Sequence, residues 1–91
     1  MTDEAHRQPL PPIAPDEAIQ ASVLATLLAE SPTHLTMLDL YRERRDPDDL
    51  GERDAVDRAV QTLASAGLVH HHGQFVILSR AALKFEELSS L

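Results

Sequence analysis

The sequence predicts a small α+β domain: three helices around one core, a short strand, a two-stranded antiparallel hairpin and a C-terminal helix. Apolar residues recur at helical spacing in successive stretches, and the third stretch breaks at Gly67 into segments rich in β-branched and aromatic residues. The size agrees, because 91 residues with 43% apolar content suffice for one core and leave no room for a second domain.

Residues 1–15 carry Pro9, Pro11, Pro12 and Pro15. Proline at that density blocks helix and central strand, so this stretch is expected to be a flexible arm ahead of a domain spanning 16–88. A first helix is expected over 16–30, with Ile19, Val23 and Leu27 on one side and Leu24 and Leu28 widening the stripe. Asp16 and Glu17 suit its positive end, and Ser31-Pro32 stops it. Its other side carries Ala18, Ala21, Ser22, Ala25 and Ala29, a candidate dimer face. The plain alternative is that alanine is the best helix former anywhere.

Thr33-His34-Leu35 reads as a short extended segment, after which Thr36 can cap a second helix with Asp39 three residues on. Met37, Leu38, Leu40 and Tyr41 give that helix its apolar side, and Arg42, Arg44 and Arg45 are expected to end it at the negative terminus. Residues 46–51 supply turn chemistry. A third helix is expected over 52–66, with Val56, Ala59, Val60 and Leu63 inward, and Gly67 supplies the left-handed residue that commonly ends a helix. The hairpin is expected from strands at 68–71 and 74–78 around a turn at His72-Gly73. Ser79 can cap a last helix over 80–88, amphipathic through Ala81, Phe85 and Leu88.

Charge and composition exclude several classes of function. Without cysteine there is no disulfide framework, thiolate zinc site or cysteine nucleophile. The longest apolar run is Phe75 to Leu78, four residues, far short of a membrane span. The first residues combine no basic start with an apolar stretch, so a cytoplasmic protein without a secretory leader is expected. His70-His71-His72 places two imidazoles on one face of a strand, too few for a zinc site. Residues 46–57 hold Asp46, Asp48, Gly51 and Asp57 at calcium-loop spacing, but Leu50 stands where a ligand is wanted. No nucleophile elbow, phosphate-binding glycine loop or His-Glu-x-x-His element is present, so neither enzyme activity nor a cofactor is expected.

The segment Ala55 to Val69, ending Leu63-Ala64-Ser65-Ala66-Gly67-Leu68-Val69, and the order of elements resemble the winged helix-turn-helix superfamily, towards its MarR- and PadR-like transcriptional regulators. The resemblance covers residues 16–88. It implies a DNA-binding module whose third helix enters the major groove and whose hairpin, the wing, touches a neighbouring groove or the phosphates. Carried over by position, Arg53, Arg58 and Gln61 would face the groove and His71, His72 and Gln74 would form the wing tip. Arg42, Arg44 and Arg45 would approach the backbone.

The charge departs from that pattern. The chain carries a net −7, of which −5 falls within residues 46–57, and the wing lacks the usual lysines and arginines. The rival reading is a protein-interaction or dimerisation module that keeps the architecture without binding DNA. Histidine titrates near pH 6.5, so a wing made cationic by acid predicts affinity for DNA or an acidic partner that rises between pH 7.5 and 6.

Overall fold

Pro15 opens the first helix, α1 (Pro15–Glu30), where its missing N–H costs nothing, and Asp16 and Glu17 follow in the first turn. The structure, a computed structural model, describes residues 15–91. Of the proline-rich arm expected over 1–15, residues 1–14 lie outside those described. Among the described residues the chain forms a small α+β domain with four helices and one three-stranded antiparallel sheet.

After α1 come β1 (Leu35–Thr36) and α2 (Met37–Arg42). Thr36 caps α2 as its residue type promises: the Asp39 amide donates to Thr36 Oγ1 at 3.2 Å, and the Thr36 amide donates to Asp39 Oδ2 at 2.9 Å. The helix stops three residues short of Arg45, the last of the arginines expected to end it. The Glu43 and Arg44 amides turn back to the Leu40 and Tyr41 carbonyls at 3.2 and 3.0 Å, tightening the last turn, so Arg44 and Arg45 belong to the connecting loop.

The third helix, α3 (Leu50–Ser65), begins two residues earlier than expected because Asp49 caps it, accepting from the Gly51 amide at 2.7 Å and the Glu52 amide at 3.4 Å. It buries Val56, Ala59, Val60 and Leu63. Gly67 then takes φ +82° and turns the chain into β2 (Val69–His72).

The hairpin closes on β3 (Phe75–Leu78) with His72 opposite Phe75, so the turn residues are Gly73-Gln74, one position beyond the turn expected. Gly73 has φ +59° and Gln74 does not have positive φ, the sign pattern of a type II′ turn, which wants glycine first. The first extended segment also sits later than expected. The Thr33 amide is held by the Glu30 carbonyl at 2.7 Å, and only Leu35 and Thr36 pair with β3, opposite Val76 and Phe75. The strand order is therefore β1-β3-β2. Leu35, Val69 and Val76 point from the inner face of this sheet into a core shared with Val23, Leu27, Leu40 and the apolar face of α3.

The last helix, α4 (Arg80–Ser89), is capped by Ser79, whose hydroxyl accepts from the Ala82 amide at 3.1 Å. Its apolar stripe is not covered. Ala82 is the one buried residue of α4, while Phe85 is 72% and Leu88 55% exposed and Ala81 faces solvent.

Candidate functional site

The exposed side of α3 and the loop before it bring together most of the arginines singled out above. Tyr41, at the end of α2, donates its hydroxyl proton to Asp57 Oδ1 on α3. That hydrogen bond, with partial burial and the neighbouring carboxylate charge, pushes the Tyr41 phenol up to about 12. The Arg53 guanidinium lies over the same ring, 4.9 Å from its centroid. Arg53 Nε donates to the Pro47 carbonyl at 2.7 Å, and its Nη2 stands 3.7 Å from Asp48. An arginine expected to face a groove is thus tied at both ends to its own domain.

Arg44 and Arg58 are similarly engaged. Arg44 pairs with Glu52 at 3.7 Å, and Glu52 also accepts the Asp46 amide at 2.9 Å. The Arg44 Nε is buried without a hydrogen-bond partner among the described residues. Arg58 reaches Asp16 at 3.4 Å, joining α3 to the first turn of α1. Both partners of the Arg58–Asp16 pair are exposed, and pairs of that kind stabilise by about 0–1 kcal/mol, so its importance lies in neutralising charge rather than in holding the fold. Arg42 and Arg45 are exposed and make no ion pair among the described residues. Residues 42–58 as a whole set five arginines against seven carboxylates.

Gln61 is exposed on α3, and His71, His72 and Gln74 are exposed at the hairpin end. The hairpin register puts His70 and His72 on the outer face with Phe75, their ring centroids 6.1 Å apart, and His71 on the opposite face. Among the described residues no group of three or more histidines, aspartates or glutamates is placed to hold a metal ion, and the Asp49 carboxylate is occupied in capping α3. No described helix is long and apolar enough to cross a membrane.

Ala18, Ala21, Ser22, Ala25 and Ala29 are all exposed on α1. Ser22, Ala25 and Ala29 line one side of an open groove of about 670 Å³ whose other side is formed by His34, Asp39 and Arg42. A second groove, about 340 Å³ and mostly apolar, runs between α1 and α4 and is lined by Leu24, Leu28, Leu68, Ala82 and Phe85, with Glu86 at its edge. Sequence periodicity found Phe85 as an apolar position but carried no sign that it would line an open groove. The through-space partners of Arg44, Arg53 and Arg58 also left no sequence signal, since each depends on how helices and loops meet. No family model, curated protein or solved structure matches the chain.

Proposed function

We propose that the domain is a winged helix that binds protein through the acidic face built on α3 and its preceding loop, and that reading duplex DNA is not its work. The helix order, the short β1 paired to a hairpin, and the glycine reversal after α3 support the architecture. One observation carries the choice of partner: Arg44, Arg53 and Arg58 each face a carboxylate of their own domain, on a surface where acids outnumber arginines. Affinity for nucleic acid comes largely from cations that neutralise phosphates, and here they neutralise aspartate and glutamate instead. The complementary partner is a protein surface rich in lysine and arginine. The reading includes no reaction, metal or cofactor.

A transcriptional-regulator-type DNA-binding module is the second reading, favoured by the exposure of Arg42, Arg45, Gln61, His71, His72 and Gln74. Fluorescence anisotropy of a labelled random duplex of about 20 base pairs at low salt separates the two, because electrostatic affinity is greatest there. No rise at high micromolar protein supports the protein-binding reading. A salt-sensitive rise at micromolar protein returns the domain to DNA, and Arg45→Ala should then lower the salt slope by about 1.

A further inference from the structure

We propose that the apolar groove between α1 and α4 is the seat of the chain's own proline-rich segment, Pro9 to Ile13, lying extended against Phe85 with Leu10 beside Leu24. This goes beyond the reading of the α3 face and stands or falls separately from it.

The groove calls for an occupant of a particular kind. Leu24, Leu28 and Leu68 line it, Phe85 stands 72% exposed along it, and nothing among the described residues covers that ring. An ordinary backbone laid into such a place leaves its N–H groups without acceptors, and each one buried unpaired costs free energy. Proline has no N–H to lose. Three of the five residues from Pro9 to Ile13 are proline, so only the Leu10 and Ile13 amides ask for a partner, and the side chains of those two residues are apolar. Proline-rich segments suit aromatic-lined grooves for the further reason that their extended form is set before they bind. The size agrees as well. One turn of helix, about 10 Å across and about 5.4 Å tall, displaces roughly 420 Å³. That is more than the groove of about 340 Å³ holds, whereas an extended segment places only a few side chains in it.

The attachment point identifies the occupant as this chain. Leu24 lies nine residues after Pro15, about 14 Å along α1 at about 1.5 Å per residue. Leu10 lies five residues before Pro15, about 16 Å away at about 3.1 Å per residue of extended polyproline backbone. A chain that doubles back at Pro15 therefore brings Leu10 level with Leu24. Ala21, exposed one turn earlier on that side of α1, leaves the path open. A short tether also holds the segment at an effective concentration on the order of millimolar, so a contact too weak to retain a free peptide is populated here.

Charge gives the direction of travel a second anchor. Arg7 is the one lysine or arginine within residues 1–14, and it precedes Leu10 by three residues, about 9 Å further along the extended backbone. Glu86 stands at the edge of the groove beside Phe85 and makes no ion pair among the described residues. A segment that carries Leu10 past Phe85 brings Arg7 towards that carboxylate.

Nuclear Overhauser contacts in the isotope-labelled full chain test the proposal. The expected contacts run from the Leu10 and Ile13 methyls to the Phe85 ring and the Leu24 methyls. Leu10→Asp should abolish them and leave the rest of the spectrum in place, since Leu10 lies ahead of every element of the domain. Trypsin should cut after Arg7 at least about threefold faster in Leu10→Asp than in the parent, because cleavage follows the population of the open form. Phe85→Ser, at an exposed position, should have the same effect from the other side of the contact. In an equimolar mixture of labelled and unlabelled chains the contacts should stay within one chain. No contact between Leu10 and Phe85, contacts that cross between chains, or equal cleavage rates in parent and variants overturns the proposal. The duplex titration is indifferent to all of these results.

Discussion

The Tyr41 hydroxyl donates to the Asp57 carboxylate, a contact between residues sixteen apart that fastens the end of α2 to the exposed side of α3. It holds the two helices at a fixed relation on the face where the partner is proposed to bind. With Arg53 lying over the ring, the phenol stands between that arginine and the Asp57 carboxylate.

Tyr41→Phe should destabilise the domain by about 1 kcal/mol, the ordinary net worth of one hydrogen bond, seen as a lower urea midpoint at unchanged slope. The contribution has a defined pH window. The folded phenol titrates at about 12 against 10.0 for the free group, so the stabilisation is complete below pH 10.0 and is lost as pH rises towards 12. The gap between parent and variant should close over that range. A gap that stays constant there would place the stabilisation elsewhere.

The capping box predicts a response at the other end of the pH scale. Hydrogen bonds from the Thr36 amide and hydroxyl hold the Asp39 carboxyl below its ordinary 3.8. Its stabilisation is therefore present above that value and disappears as pH falls through the folded pKa. Asp39→Asn should remove this part of the acid dependence. Thr36→Ala should cost about 1 kcal/mol at neutral pH, read by chemical denaturation.

Two glycines are held by backbone conformation alone. A Cβ at Gly67 or Gly73 would meet nothing within 4 Å, yet their φ values are +82° and +59°. Alanine at either should destabilise by about 1–2 kcal/mol. Asparagine, which tolerates the left-handed region, should recover part of the loss at Gly73.

The core and the surface should separate cleanly in thermal melts. Leu40 is 2% exposed and Leu50 is 74% exposed. Leu40→Ala should cost about 3 kcal/mol and lower Tm by more than about 10 °C, whereas Leu50→Ala should stay within about 0.5 kcal/mol.

What the sequence disclosed follows from the range over which each signal acts. The Thr36/Asp39 cap, the Gly67 reversal and the helical spacing of Val56, Val60 and Leu63 are local, and each appears close to where the residues put it. Boundaries moved where a competing local group acted, as Asp49 did at the start of α3 and Gly73 did in the hairpin. The pairing of Arg58 with Asp16, forty-two residues away, was not legible, because it needs α1 and α3 already packed. Periodicity likewise marked Phe85 and Leu88 as one face of α4 but said nothing of what would cover it.

The strand order has a kinetic consequence. β2 and β3 meet across two turn residues, whereas β1 reaches β3 only after the intervening helices α2 and α3 have been threaded, and it contributes just Leu35 and Thr36. Closing a longer loop costs more chain entropy, and two residues return little for it. The topology therefore predicts a staged assembly, with the hairpin forming early and its remaining edge sealed late. In reverse, the amide protons of β3 that face β1 should exchange with solvent ahead of those that face β2.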